Sequence, residues 1–360
     1  MIAHFVRTTM TDNDKEYTGE LLDDYADYLQ KSYHLAVMPI SRVQVEWFPK
    51  TYLYGITFYP EGSVNLDMLC IKPNDPKSRS LKEVIAAASG IDQETLDKHP
   101  LIVFPCSFNW PDFRLGSHSD DLDFIRKLSE YVDKSCLNLI RYLLCPLEPI
   151  DCLPGRAGTV NSNHMMSGAL LYNHSLRESR IIGGDAFSHT ITKGLGLPLE
   201  LVDRNLFPKP GEVCNIIGHA LSLYTTLLEA NSPTLRFIQA LSLLEFLAYP
   251  DEYKKFEEVK KVIARYVATD PGEYHKLLER FFELTSKKDS VSNKVVGYRT
   301  RVVHMGENIE DIIPDKDDRK RLFIELQTYI KAVIDHMINH SHLTWQEYLA
   351  VRDGLRPFEN

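Results

Sequence analysis

From Gly211 to the C-terminus, apolar residues recur at helical spacing, and every interruption falls on a helix-breaking or capping residue. Ile216 to Glu229 reads as one helix, ended by Asn231-Ser232-Pro233. Pro233 suits the first turn of the next, which runs to Tyr249 and stops at Pro250. Tyr253 to Val267 and Glu273 to Leu284 follow, the latter started by Asp270-Pro271. A further helix begins near Ser290 and ends around Gly306, where glycine favours a C-terminal cap. Asp315 caps the longest helix, which runs towards Asn339. Thr344 caps the last, with Glu347 completing a capping box. Helices in succession with no strand pattern between them bury their apolar faces against one another, so residues 210–360 are expected to form an all-helical bundle.

The preceding 209 residues are patterned differently. A strand-like piece spans Ile2 to Val6, and a helix is expected from Leu21 to Tyr33. Alternating aromatic and β-branched residues at Val43–Phe48 and Tyr52–Tyr59 predict strands, ended by a turn at Pro60-Glu61-Gly62. Val64 to Ile71 and Leu101 to Pro105 are further strand candidates. Asn74-Asp75-Pro76 reads as loop, and Ser80 as the cap of a short helix through Ala88. Asp120 to Leu144 carries a long helical stripe. Residues 146–212 are rich in Pro, Gly, Ser and Asn, with short strand candidates at Ala169–Tyr172 and Arg180–Ile182. The chain is therefore expected to be α+β, with a mixed α/β domain over residues 1–209 and the helical domain over 210–360.

Composition narrows the function classes. With 360 residues the chain is long enough for two domains, and a formal charge of −9 argues against a general nucleic-acid coat while leaving room for a local basic cleft. Cys70, Cys106, Cys136, Cys145, Cys152 and Cys214 show no C-x-x-C pairing, so neither a zinc ribbon nor a disulfide framework is indicated. Reduced thiols, no secretory pattern at the N-terminus and no run approaching ~18 apolar residues predict a soluble cytoplasmic protein without a membrane span.

The chemistry-bearing stretch is Gly297-Tyr298-Arg299-Thr300-Arg301-Val302-Val303-His304-Met305-Gly306. It sets two guanidiniums and an imidazole within six residues. Arginine stays charged and grips phosphate, and an imidazole exchanges protons near neutral pH. A metal-free RNA-cleaving site needs that pairing, although an ordinary amphipathic helix with a charged face has the same composition. On an ideal helix His304 lies about 140° around the axis from Arg299, whereas Arg301, three residues before it, is its close neighbour.

This stretch resembles the HEPN superfamily of helical ribonucleases and nucleotide-binding domains. It looks most like the Apea-like branch, whose signature is Arg, a small polar residue, three more residues, then His and Gly. Here Arg299 is followed by Thr300, where Ser or Asn is more usual, and Gly306 sits one residue late because Met305 intervenes. Pro233 to Glu245 resembles the family's upstream helix, which carries a buried acid, and the likeness spans roughly Pro210 to Asn360. The resemblance implies a metal-independent endoribonuclease with no cofactor, acting as a homodimer in which facing helices share a cleft. Arg299 and His304 would be catalytic, and Arg301, Thr300 and Glu245 accessory. In that mechanism the RNA 2′-hydroxyl attacks its own adjacent phosphate, leaving a 2′,3′-cyclic phosphate end. It also implies roles in antiviral defence or as a toxin, with residues 1–209 taking a regulatory ligand or protein. The alternative is a non-catalytic module that binds a nucleotide or protein partner.

Other clusters carry less. His164, His174, His189 and His219 follow no ligand spacing and read as turn and surface histidines. Gly183-Gly184-Asp185 is either a simple turn or one that approaches phosphate. Asp335, His336, His340 and His342 place two histidines four apart on a helix, a workable metal spacing without the general-base Glu of HExxH; a metal hydrolase there is the weakest of three functional classes. Lys316, Arg319, Lys320 and Arg321 alternate with acids and read as a salt-bridged helix start.

Overall fold

The computed structural model describes residues 4–5, 20–69, 86, 91–147, 153–160, 167–184, 197–199, 202–203, 206–288 and 296–355. The protein is α+β, with an antiparallel sheet in its N-terminal part and a helical C-terminal part. It divides into two compact units, Met1–Leu144 with Asp151–Arg204 and Cys145–Ile150 with Asn205–Asn360.

The first unit carries strands β1 (His4–Phe5), β2 (His34–Pro39), β3 (Val43–Gln44), β4 (Lys50–Thr51), β5 (Thr57–Tyr59), β6 (Leu101–Ser107), β7 (Ser167–Asn173), β8 (Glu178–Gly184) and β9 (Leu197–Pro198). The main sheet runs β4-β5-β6-β2-β7-β8, with β1 added to β6 and every pair antiparallel; β3 and β9 pair in parallel apart from it. The middle strand β2, which sets Val37 opposite Val103 and Leu170, has no forerunner in the sequence reading. All six of its residues are buried. A strand covered on both faces shows no alternation, so the period-2 signal that marks half-buried strands is missing.

Helices α1 (Leu21–Asp24) and α2 (Ala26–Gln30) break at Tyr25, where φ is −109° and ψ 14°. The break places the Tyr25 side chain, wholly buried, at the centre of the unit. Its hydroxyl lies 2.6 Å from Gly55 O, 2.8 Å from Thr57 Oγ1 and 2.8 Å from Val103 O, tying the helix pair to β5 and β6. After α3 (Gln93–Asp97) and α4 (Trp110–Leu115) comes a long helix, α5 (His118–Val132), continued through a π-turn at Asp133–Leu137 into α6 (Asn138–Leu144). Here the fully buried Arg141 donates to Asp133 Oδ1 at 2.8 Å, Asn138 Oδ1 at 3.1 Å and Gly155 O at 3.1 Å. A buried guanidinium is tolerated only when so many of its donors are paired.

Four expectations need correction. Of Tyr52–Tyr59 only Thr57–Tyr59 is strand, and Leu53–Gly55 forms a 3-10 turn. Val64–Leu69 is not a strand: Asn65 accepts the Asp67 amide at 3.1 Å and caps a 3-10 turn at Leu66–Met68. Of Val43–Phe48 only Val43–Gln44 is strand, and Trp47 and Phe48 project into solvent. Gly183 and Gly184 are the last residues of β8 rather than a turn, simple or phosphate-approaching. A Cβ on Gly183 would stand 2.8 Å from Ile91 Cβ, so Ile91 already fills the space that glycine leaves. The flanks of β1, the Asn74-Asp75-Pro76 loop, the Ser80 cap, Asp185, His164 and His189 lie outside the described residues.

The second unit holds α7 (Glu212–Leu228), α8 (Pro233–Ala248), α9 (Phe256–Val267), α10 (Pro271–Thr285), α11 (Tyr298–Met305), α12 (Ile309–Ile312), α13 (Lys316–Asn339) and α14 (Trp345–Asp353). Capping side chains set several starts as expected. Ser232 Oγ accepts the Leu235 amide, Asp270 Oδ1 the Glu273 amide and Asp315 Oδ1 the Asp318 amide, and Thr344 with Glu347 forms the capping box. The long α13 packs against α7, α8 and α9 through Phe323, Leu326, Ile330, Ile334 and Met337, all buried. Cys145–Ile150 groups with these helices because Tyr224 donates to Cys145 O at 3.0 Å, and Gln327 reaches Tyr224 Oη at 2.9 Å and accepts the Leu147 amide at 3.3 Å.

Tyr25→Phe removes a hydroxyl that serves three buried oxygens and leaves acceptors unsatisfied. It is expected to destabilise the first unit by about 2 kcal/mol with the fold retained, read from urea unfolding followed by circular dichroism.

Candidate functional site

The helix that carries the arginines and histidine is shorter than its sequence pattern indicates, beginning at Tyr298 rather than near Ser290; residues 289–295 lie outside the described set. Its start is set by a close approach. Gly297 is buried and extended (φ −63°, ψ 129°), and a Cβ there would stand 2.5 Å from the Ser286 amide nitrogen. The amides of Val296 and Gly297 both donate to Lys287 O, at 2.8 and 2.9 Å, which pins this segment to the end of α10. Thr300 strengthens the same joint by donating its hydroxyl to Thr285 O at 2.8 Å. Its side chain therefore serves the fold. Val302 is buried and anchors the helix from below.

Arg299 points to α8. Its Nη2 lies 2.9 Å from Glu245 Oε1, and its guanidinium stands 5.9 Å over the Phe256 ring at the start of α9. The side chains of Arg299 and Glu245 are 35% and 25% exposed, so the pair is neither buried at full desolvation cost nor lost to solvent screening. The structure thus brings together two residues that the sequence reading set on separate helices, and adds Phe256, which nothing in the local pattern marked.

Arg301 points elsewhere. Its Nε donates to both Glu307 oxygens at 3.1 Å, and its Nη2 donates to Glu307 Oε2 as well. These hydrogen bonds raise the Arg301 guanidinium above its usual range and hold the Glu307 carboxyl below the carboxylate range. Glu307 was missed by sequence reasoning, but its signal is legible in retrospect. Gly306 adopts the left-handed conformation (φ 73°, ψ 19°), and a glycine cap of this kind folds the following residue back on the last helical turn.

His304 stands exposed near the end of α11, and its imidazole makes no hydrogen bond with any described residue. Exposed Val303 and Met305 flank it. Within the chain Glu245 therefore joins Arg299, Glu307 joins Arg301, and Thr300 joins Thr285, while His304 remains open to a ligand or to another surface.

The other clusters resolve into structural contacts. His336 Nδ1 lies 3.1 Å from Tyr348 Oη, which lies 2.9 Å from Tyr266 Oη, and His340 Nδ1 lies 2.9 Å from His336 O. No group of three or more His, Cys, Asp or Glu able to hold a metal occurs among the described residues. His174 lies 3.3 Å from the Tyr172 hydroxyl, and exposed His219 stacks edge-on against Phe246. Arg321 pairs with Asp318, and Arg319 donates to Ile313 O and Pro314 O at the start of α13. Cys106 and Cys136 are buried free thiols whose pKa burial raises, so they stay protonated. No helix among the described residues is long and apolar enough to cross a membrane.

Burial, with a smaller contribution from His340, pushes the His336 pKa down to about 4. The unfolded imidazole titrates near ~6.5, so the unfolded chain takes up the proton first as pH falls. The stabilisation from neutral His336 is complete above pH ~6.5, declines as pH falls towards about 4 and is exhausted below it. A contribution on the order of 1–2 kcal/mol, discounted for solvent screening, is expected in urea midpoints measured across that window, and His336→Gln is expected to flatten it.

No protein-family model, curated protein or solved structure matches this chain.

Proposed function

We propose that the helical unit is a metal-independent endoribonuclease of the HEPN type, with Arg299 and His304 as its catalytic pair. The observation that carries this reading is the Glu245–Arg299 ion pair, in which an acid on α8 holds the arginine of the Arg–His helix at 2.9 Å. That is the part an orienting acid plays in such a site. The contact is closest at the terminal Nη2, and the guanidinium carbon lies 5.9 Å from the Phe256 ring, which leaves donors for phosphate oxygens. His304, exposed on the same short helix, is the proton-transfer group.

The RNA 2′-hydroxyl attacks the adjacent phosphorus, the bond to the 5′-oxygen breaks, and the strand ends in a 2′,3′-cyclic phosphate. An imidazole takes the proton from the attacking hydroxyl or supplies one to the leaving oxygen, while guanidinium stabilises the charge on the phosphoryl oxygens. Two copies of α11 facing each other across a two-fold axis supply both proton transfers, and exposed Val303 and Met305 beside His304 suit such a contact. On this reading the protein acts in the cytoplasm as a defence or toxin effector, and the first unit takes the regulatory ligand or protein.

Incubating RNA with purified protein in EDTA tests the reading. Cleavage with cyclic phosphate ends is expected, with DNA left intact and the rate cut about 100-fold or more in His304→Ala and Arg299→Ala. Glu245→Ala is expected to lower the rate less, because both reacting groups remain present although Arg299 loses the acid that orients it. Cleavage that survives both catalytic substitutions would overturn the assignment. Binding of RNA or nucleotide without any cleavage would favour the non-catalytic module, a reading that the carboxylate partners of both arginines also support.

A further inference from the structure

Arg301 and Arg299 are held in different ways. Arg299 gives one nitrogen to a carboxylate rooted in α8. Arg301 gives its Nε and Nη2 edge to both oxygens of Glu307, which sits on the short link between α11 and α12. Left-handed Gly306 makes that geometry by doubling the chain back, and the Glu307 amide donates to Arg301 O at 3.2 Å. Among the described residues, the Glu307 carboxylate hydrogen-bonds to Arg301 alone. A carboxylate in this position presents the same two-point acceptor as the non-bridging oxygens of a phosphodiester. Arg301 is also one turn before His304, so whatever it grips lies next to the imidazole.

We propose that Glu307 is a resident occupant of a phosphate seat on Arg301, which an RNA strand takes by displacing the carboxylate. The inference rests on the ribonuclease reading of this site and specifies its substrate class. A single phosphate meets Glu307 as a tethered competitor present at high effective concentration. A strand overcomes it, because its other phosphates, held elsewhere on the protein, present one to Arg301 at comparable effective concentration. The seat therefore selects polynucleotide over mononucleotide.

The test measures affinity by fluorescence anisotropy, using a labelled 2′-O-methyl RNA oligonucleotide that cannot be cleaved, the full chain and EDTA. Glu307→Gln is expected to tighten binding about fivefold and to steepen the slope of log affinity against log salt by about 0.7, because in wild type the displaced carboxylate takes back one counterion for the one the strand releases. Arg301→Ala with Glu307→Gln is expected to bind as Arg301→Ala does. Asp311→Asn, which removes an exposed charge of the same sign four residues on, is expected to change affinity much less. AMP is expected to compete weakly against wild type and measurably better against Glu307→Gln.

Equal affinity of wild type and Glu307→Gln would overturn the proposal, as would equal tightening by Asp311→Asn or tightening that persists without Arg301. Absence of oligonucleotide binding by either protein would overturn it too. The two readings fail separately. Cleavage that requires Arg299 and His304 but ignores Glu307 would refute the seat and leave the ribonuclease standing. Tighter binding in Glu307→Gln with no cleavage by any form would keep the seat and refute the ribonuclease.

Discussion

The guanidinium of Arg299 lies between the Glu245 carboxylate and the Phe256 ring, and the geometry of the candidate site depends on that placement. The short α11 has one buried apolar anchor, Val302, too little to fix its azimuth alone. The ion pair to α8 and the cation–π contact at the start of α9 tie its N-terminal turn to two neighbours, and the Thr300 hydroxyl ties it to a third, α10. A half-exposed pair of this kind adds little to stability, typically no more than about 1 kcal/mol. Its effect is directional.

Charge balance explains how a chain of net −9 can hold a basic site. Each arginine on α11 has its own acid, so the helix presents little uncompensated positive charge when empty. On the proposed reading, affinity for RNA is then an exchange of carboxylate for phosphate rather than simple attraction to a basic surface. Such exchange favours ligands that bring several phosphates at once. The two acids differ in mobility, since Glu245 is fixed inside a helix and Glu307 follows a glycine turn.

The first unit rests on a different principle, the satisfaction of polar groups deep in an aromatic and aliphatic core. The Tyr25 hydroxyl bonds to the sheet, the Arg141 guanidinium bonds to the π-turn and a loop carbonyl, and Ile91 occupies the space opened by Gly168 and Gly183. Each joins segments distant in sequence. His34 belongs to the same core, its ring stacked 5.3 Å from Trp110 and its Nε2 3.0 Å from Asn173 Nδ2, and burial lowers its pKa. Those contacts keep it neutral and structural.

What the sequence determined by itself was local. Helix periodicity, Pro at first turns and Ser, Asp and Thr caps placed most of the helices of the second unit, because those signals act within four residues of the chain. The left-handed Gly306 cap belongs to the same class. Alternation marked the end of the Tyr52–Tyr59 segment as β5 and short apolar runs marked β6, β7 and β8, whereas β2, an apolar run as buried as β6 and β7, was not read. Tertiary structure decided the partners. The bond of Thr300 to Thr285, the cation–π approach of Arg299 to Phe256 and the choice of Glu245 for Arg299 and Glu307 for Arg301 all depend on helix packing or chain reversal. A residue's side-chain chemistry is written in its position, but the group it meets is set by how distant elements bury their apolar faces.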